Sequence, residues 1–402
     1  MTRRRRVILI VAGIALLVAV EIVVATRLWR TSVPSDLRLP SLDPAREFPA
    51  GELRRAESFD AFGRWTFLGS QVVLLATLAV YAKHGWRFAR ESAAGPIGTG
   101  FLLGMLGIGI AWLTQVPFSI ADFWWAKDHG VTNTDWATFL FGDWAALGGQ
   151  FAFVCFALLV AMGFSRLLRR SWWLPATAVF AGLAVLFAFV TPLLLDLHEP
   201  HNPRLEADAA KIARQQGVSG IPLKVEEVRS DTTAPNAFAV GLGSTRRVVL
   251  WDTIAGFPRG EVRVVIAHEY GHQARHHISK GLGWSVLFLL PTTLLVALLT
   301  WRRGGLARPE AVPLALLIVV VLQVFTTPLR SAISRHMEAE ADWAALQTTR
   351  DPAAMRGLFR NFTDVGYSDP DPPGWFQTLF GDHPSGLQRI EMAEAWERAH
   401  PH

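Results

Sequence analysis

The residues best suited to chemistry form the run His268-Glu269-Tyr270-Gly271-His272, which is an H-E-x-x-H motif. The apolar segment before it, Glu261 to Ala267, predicts a buried helix that continues into the motif. Residues four apart share one face of a helix, so the two imidazoles could bind one Zn²⁺ ion. Glu269 could then act as the general base toward a water molecule at the metal. The alternative is a helix that carries two surface histidines and a glutamate.

A catalytic zinc ion needs a third protein ligand, and acidic candidates follow the last apolar run of the chain. Glu338 and Asp342 are four residues apart and would share a helical face. Glu338 could bind the metal, while Asp342 accepts a hydrogen bond from the outer nitrogen of a metal-bound histidine. Glu340 would point to a different face, but spacing alone does not choose between Glu338 and Glu340. The alternative is a solvent-exposed acidic helix.

The end of the chain offers two groups for a transition state. His383 and Arg389, in the run from Asp382 to Ile390, could stabilise the oxyanion of a tetrahedral intermediate. The alternative is a structural turn followed by a helix. Next to the motif, His276 and His277 are interpreted as supporting or surface residues, because two histidines already satisfy the site.

A small β-sheet is predicted ahead of the motif helix. Residues 234–253 read as a strand, a glycine-rich turn and a second strand, and Leu223 to Val228 predicts another strand. A sheet beside a zinc-binding helix would offer an edge along which an extended peptide could bind by β-addition. The alternative is a purely structural hairpin.

The rest of the chain is built from long apolar runs. Charged residues make up 18% of the sequence, whereas soluble proteins carry about 25%. A membrane-crossing helix needs about 20 mostly apolar residues, and seven runs qualify. They are Val7 to Val24, Trp65 to Ala82, Ile97 to Ala121, Trp144 to Ser165, Ser171 to Leu195, Gly281 to Trp301 and Ala311 to Leu329. The first run is long for a signal peptide and is interpreted as a retained anchor. The predicted fold class is a polytopic α-helical membrane protein with about seven transmembrane helices and a small α+β zinc-metalloprotease domain.

These runs divide the chain into four parts. Residues 1–195 are predicted to be a membrane domain with five helices, and 196–280 a zinc-protease region with the hairpin and the motif helix. Residues 281–329 add two membrane helices, and 330–402 hold the third-ligand helix and the end of the protease domain. The single cysteine, Cys155, excludes an internal disulfide framework and a cysteine-cluster metal site.

The net charge of +5 comes from basic residues that lie between the apolar runs, which indicates membrane topology rather than nucleic-acid binding. Many of the basic residues lie at the N-terminus and in the short loops. By the positive-inside rule, this distribution favours a cytoplasmic N-terminus and an extracytoplasmic zinc site. The arginines between Arg27 and Arg64 oppose this assignment.

In combination, the motifs resemble the type-1 CAAX prenyl protease family of integral-membrane zinc endopeptidases, and more distantly the bacterial heat-shock membrane zinc proteases. Besides the H-E-x-x-H motif, five segments carry the resemblance. They are Asn236-Ala237-Phe238, Arg247 to Thr253, Ser334-Arg335 with Glu338 and Ala341-Asp342, His383-Pro384-Ser385 through Arg389-Ile390, and Pro117-Phe118-Ser119 with His129-Gly130.

The resemblance implies that Glu338 is the third zinc ligand and that Asn236 and His383 contact the substrate or the transition state. It further implies seven helices around a water-filled intramembrane chamber, and a zinc domain on the cytosolic side, against the charge distribution. Three departures affect the substrate more than the chemistry. Phe238 stands where the family has Tyr, Val131-Thr132 follows His129-Gly130 in place of Phe-Asn, and residues 1–40 do not resemble the family.

The sequence therefore predicts a multi-pass zinc endopeptidase of the cell membrane that holds one Zn²⁺ per chain. Its partners would be the lipid bilayer and a membrane-associated or lipidated peptide or protein, with no nucleic acid. Either processing of a defined substrate, as by a CAAX prenyl protease, or quality control of misfolded membrane proteins fits the same site. Alternatives of another class are a transporter and a non-catalytic scaffold.

Overall fold

The computed structural model describes residues 3–401, apart from the side chains of residues 3–11, 14, 17 and 255. Residues 1 and 2, in the first predicted part, and residue 402, in the last, lie outside the described residues. Before the sheet, the helices are α1 (Arg3–Leu28), α2 (Pro44–Glu47), α3 (Ala50–His84), α4 (Gly95–Asp128), α5 (Trp136–Leu168), α6 (Trp173–Leu194) and α7 (Pro203–Gln215). After the sheet, they are α8 (Arg259–Ala274), α9 (His277–Thr300), α10 (Val312–Thr349), α11 (Pro352–Gly366), α12 (Gly374–Leu379) and α13 (Gly386–Ala399).

Six helices in the described part of the chain are long and apolar enough to cross a membrane: α3, α4, α5, α6, α9 and α10. They coincide with six of the seven predicted runs to within two residues at the run ends that extend beyond a helix. The seventh, Val7 to Val24, lies in α1 and falls partly on side chains outside the described part. Large apolar side chains point outward from these helices; Phe325 is 81% exposed and Leu194 is 78% exposed. Exposure of this kind is unfavourable in water, and it suits contact with lipid.

Helix α10 runs from the membrane region into the site. Its 38 residues span about 57 Å at a rise of 1.5 Å per residue, which exceeds the hydrocarbon core of about 30 Å. The predicted apolar run ends at Leu329, but the helix continues through Glu338 and Asp342 without a break. The predicted boundary at residue 330 therefore lies inside one helix, and a membrane-crossing element carries the acidic side chains directly.

The sheet has three strands in the order β1 (Leu223–Glu226), β3 (Arg247–Trp251) and β2 (Ala237–Val240). Strand β1 is parallel to β3 and β2 is antiparallel to it, so the predicted hairpin and additional strand are confirmed. Gly241 makes the turn after β2 with a φ of +92°, and a Cβ there would lie 2.1 Å from the carbonyl oxygen of Thr245. Only glycine fits this position.

Within the described part of the chain, two clusters of buried apolar side chains stabilise the fold. One packs the sheet, α7, α8, α11, α13 and the end of α10 around Ile266, Leu346 and Ile390. The other lies among the membrane helices and is centred on Met162 and Val312. Residues 29–48, which we call the N-terminal strap, join the first cluster: Phe48 is buried in it, and Val33, Leu37 and Leu42 pack against it.

Candidate metal centre and active site

The close packing of α8 on α10 creates the site. A Cβ on Gly271 would lie 3.3 Å from both Cα and the carbonyl oxygen of Ala341, so glycine lets the two backbones approach. The facing residues Ala341 and Ala344 are small and buried. This contact turns the His268 and His272 face of α8 toward the acidic residues of α10.

His268, His272 and Glu338 form a group in which one ligand atom from each lies within 4.8 Å of the others. Nε2 of His268 is 3.0 Å from Nε2 of His272. The Glu338 oxygens lie 3.2 Å from His268 Nε2 and 3.4 Å from His272 Nε2. The three predicted ligands are therefore brought together by the fold.

The outer nitrogen of each histidine has a partner that fixes its tautomer. His268 Nδ1 lies 2.9 Å from Oδ1 of the fully buried Asp342. A carboxylate only accepts hydrogen bonds, so Nδ1 carries the proton and Nε2 keeps a lone pair. Asp342 thus has the contact predicted for it.

His272 is held in the same way by a second chain of contacts. Its Nδ1 lies 2.9 Å from Nδ1 of the buried His277, whose Nε2 lies 3.0 Å from Glu340. Glu340 can only accept, so His277 donates to it through Nε2 and accepts from His272 Nδ1. His277 was interpreted as a supporting or surface residue and proves to be supporting, whereas His276 is exposed. Glu340, the other acidic candidate, pairs with His277 and Lys280 instead.

The donor set fits a metal ion. Two imidazole nitrogens and a carboxylate converge, and the buried Oε2 of Glu338 has no hydrogen-bond partner among the residues that the structure describes. A cation bound here would accept a lone pair from each imidazole and would also satisfy the unpaired carboxylate oxygen. Burial lowers the pKa of His272 to about 3, which keeps it in the neutral form that binds metals.

Glu269 and His383 flank this group. Glu269 is buried beside His268, and burial raises the pKa of its carboxyl to about 7, so the group can take and release a proton near neutral pH. His383 Nδ1 donates to Asp382 at 2.9 Å, and its Nε2 lies 3.5 Å from Glu338. The hydrogen bond to Asp382 raises the pKa of His383. Both predicted catalytic residues therefore reach the site.

Arg389 approaches the site from behind His268. Its guanidinium donates to Asp342 at 2.5 Å and lies over the ring of Phe359, with 4.3 Å to the ring centroid. The sequence predicts that Arg389 stabilises an oxyanion or supports the site; in the structure its guanidinium contacts the carboxylate that orients His268 and also lies 3.2 Å from Nδ1 of His268 itself.

A cavity of about 530 Å³ opens beside the group and is lined by His268, Glu269, Glu338, His383, Arg389 and Asn236. Asn236 leads into β2, and its side-chain oxygen accepts the Ala237 N–H at 2.9 Å. The predicted hairpin thus borders the cavity. Asp60 and Arg64 of α3 also line it, although no sequence motif indicates them. Arg64 pairs with the buried Asp369 at 2.9 Å, a contact between residues 305 apart that local patterns do not reveal.

Comparison with known proteins agrees with this geometry. Residues 199–397 match the model of Peptidase family M48. The chain carries a Peptidase family M48 domain and is a metallopeptidase. It is 24% identical over 402 residues to the uncharacterized metalloprotease YhfN of Bacillus subtilis (strain 168), with 92% of each chain covered. It is 28% identical over 276 residues to the protease HtpX homolog of Tropheryma whipplei (strain TW08/27), covering 62% of this chain and 88% of that protein.

The fold also matches the crystal structure of S. mikatae Ste24p, with a TM-score of 0.71 and 17% identity over 93% of this chain and 95% of the other. The predicted resemblance to the type-1 CAAX prenyl proteases is confirmed at the level of fold and family domain. With its long apolar helices, this metallopeptidase is a multi-pass membrane protein.

Proposed function

We propose that this M48 metallopeptidase is a zinc-dependent endopeptidase that cleaves peptide bonds of membrane-associated peptides or proteins. One Zn²⁺ would be held by His268, His272 and Glu338. The observation that carries the proposal is the convergence of three lone-pair donors, with Glu269 beside them, on a cavity bordered by an edge strand.

The residues around the ion can complete the hydrolysis. Zinc, when bound, supplies Lewis-acid activation of water and of the scissile carbonyl. Glu269 removes the proton from the attacking water and passes it to the leaving amine nitrogen as the C–N bond breaks. His383, protonated on both nitrogens, keeps its bond to Asp382 through Nδ1 and donates from Nε2 to the oxyanion. Arg389 and Asp342 hold His268 in position, and so act through the ligand.

Asn236 and strand β2 would hold the substrate. Main-chain N–H of Trp251 donates to the carbonyl of Asn236 at 3.0 Å. Because hydrogen-bonded pairs alternate in an antiparallel ladder, Phe238 and Val240 also face β3, while Ala239 presents its N–H and carbonyl to the open edge. Ala237 adds its carbonyl there, since its N–H already donates to the Asn236 side chain. An extended peptide could pair there and pass its backbone across the metal.

The decisive experiment uses the purified full chain, loaded with zinc in detergent, on a quenched peptide library. The wild-type protein should cleave the peptides, while Glu269→Gln and a chelator-treated sample should show no hydrolysis. Glu269→Gln should still bind one zinc ion, which separates loss of the base from loss of the metal. Hydrolysis by the Gln variant would show that another group is the base.

For the substrate we propose a lipidated peptide, as for a CAAX prenyl protease, because the Ste24p-like fold extends over almost the whole chain. Quality control of misfolded membrane proteins is the second candidate, favoured by the similarity to protease HtpX homologs and by Phe238 and Val131-Thr132. Matched peptides with and without a farnesyl group distinguish the two. A preference for the lipidated peptide supports the first, and equal, sequence-tolerant cleavage supports the second.

For sidedness we propose a cytoplasmic zinc site, in line with the family resemblance and against the distribution of basic residues. Cys155 is the single cysteine, so Cys155→Ser provides a cysteine-free background. Ser230→Cys, at an exposed position beside the sheet, can then be treated with a membrane-impermeant maleimide in intact cells. Labelling only after lysis supports a cytoplasmic site, and labelling of intact cells contradicts it.

A further inference from the structure

The second chain of contacts at the metal centre does not end at Glu340. Backbone N–H of Ser32 donates to Oε1 of Glu340 at 2.8 Å, while His277 and Lys280 donate to Oε2. Lys280 also donates to the carbonyl oxygen of Arg30 at 3.2 Å. A buried carboxylate on α10 thus joins the outer nitrogen of a metal ligand to the N-terminal strap.

The strap is fixed at this point by more than one bond. His336 Nε2 lies 2.8 Å from the carbonyl oxygen of Trp29, and the two rings stack with centroids 4.2 Å apart. Farther along the strap, Leu42 N–H donates to Glu391 at 3.0 Å. Since α1 ends at Leu28, this helix continues directly into the segment that reaches Glu340.

We propose that His277 and Glu340 are positioning residues, through which the docked N-terminal strap sets the tautomer and orientation of the metal-binding imidazole of His272. The inference rests on the proposed function, because it takes His272 to be a zinc ligand. It assigns a role to the strap that the H-E-x-x-H motif alone does not require.

The direction in which each hydrogen bond donates determines which nitrogen of His277 and His272 carries a proton. Glu340 accepts at both oxygens, so His277 must donate to it, and His272 must then donate from Nδ1 and present a lone pair at Nε2. A donor at position 340 would reverse this order. In Glu340→Gln, an amide N–H directed at His277 Nε2 would move the His277 proton to Nδ1. His272 would then lose the Nδ1 proton and carry one on Nε2, the nitrogen that must bind metal.

If the amide of Glu340→Gln turned the other way, its N–H₂ group would face the Ser32 N–H, and two donors would meet. Either orientation of the amide interrupts this series of hydrogen bonds, although the volume of the side chain is preserved. Loss of a partner that orients a metal-bound histidine typically costs 10- to 100-fold in metal affinity. The same loss is expected for His277→Phe, which keeps a ring but has no nitrogen.

The strap can be tested through its backbone. Ser32→Pro removes the N–H that Glu340 accepts, whereas Ser32→Ala keeps it and removes only the hydroxyl. Glu391→Gln is a matched control, because it weakens a second bond between a carboxylate and the strap that has no connection to His272.

The experiment measures the zinc dissociation constant of the purified full chain by competition with a chromophoric chelator, together with the Tm of the metal-free protein. Zinc affinity should fall about 10- to 100-fold in Glu340→Gln and His277→Phe. It should fall to a smaller extent in Ser32→Pro, and stay within about twofold of wild type in Ser32→Ala and Glu391→Gln.

Two results would overturn the proposal. One is a lower Tm of metal-free Glu340→Gln with unchanged zinc affinity. That result would mean that the contacts through Glu340 stabilise the fold and do not affect metal binding. The other is an equal loss of affinity in Glu391→Gln, which would mean that general loosening of the strap is responsible. Failure of wild type itself to bind zinc would instead refute the proposed function on which the inference rests.

Discussion

The carboxylate of Asp342 lies 2.9 Å from Nδ1 of His268 and has no exposed surface. Asp342→Asn keeps the shape of the side chain but removes the charge that holds both His268 and the partly buried Arg389. We expect zinc affinity to fall about 10- to 100-fold, because the imidazole loses the partner that fixes its tautomer. Chelator competition on the purified protein measures this directly. An unchanged dissociation constant would mean that His268 is oriented by its helix alone.

Gly271 should tolerate no side chain. In Gly271→Val, the Cβ would meet the backbone of Ala341 at 3.3 Å, so α8 must move away from α10. Such overpacking costs about 1–3 kcal/mol, and it also separates the two histidines from Glu338. We expect a lower Tm and less than one zinc ion per chain. Gly281→Ala on α9 is the control, since a Cβ there meets nothing within 4 Å; equal behaviour of the two variants would contradict the packing argument.

Local periodicity predicted much of the site, because most of its residues lie four apart on two helices. His268 with His272, and Glu338 with Asp342, are placed by helical geometry alone. The choice of Glu338 over Glu340 needed the resemblance, and the structure gives its physical reason: Glu340 faces His277. That contact was beyond prediction because His276 takes a left-handed conformation, with φ of 57°, and redirects the chain between α8 and α9.

The fold was predictable to a similar extent. Apolar length located six membrane helices, and β-branched residues located the sheet. The continuity of α10 was missed, since its polar second half has a different composition from its apolar first half. The contribution of Asp60 and Arg64 to the cavity depends on which distant residues α3 meets, and spacing along the sequence contains no information about that.

His383 gives a prediction about pH. Asp382 accepts its Nδ1–H and raises its pKa, so His383 remains protonated to higher pH than a free histidine. The proposed oxyanion donor is this protonated form, and activity should therefore be lost as pH rises through the pKa of His383. Asp382→Asn removes the charge, lowers that pKa and should move the alkaline limb of the kcat/KM profile to lower pH. The acidic limb, to which the Glu269 carboxyl with its pKa of about 7 contributes, should stay in place.

A profile that is identical in Asp382→Asn would show that His383 does not act as a charged donor. His383→Ala provides the reference, because it should lower kcat about 10²- to 10³-fold, as removal of one oxyanion donor does, and should lack the alkaline limb that Asp382 controls.

The open edge of β2 can be tested without touching the metal. Ala239→Pro removes an N–H that faces away from β3, so the ladder to β3 stays intact, and proline is tolerated on edge strands. If the substrate pairs with this edge, the variant loses one main-chain hydrogen bond, which contributes about 1 kcal/mol. We expect kcat/KM for an extended peptide to fall roughly fivefold through KM, because ground state and transition state both lose the bond. Ala239→Val keeps the N–H and adds bulk on the side-chain face only, so it should retain near-normal kcat/KM. A loss in the valine variant as large as in the proline variant would place the peptide elsewhere in the cavity.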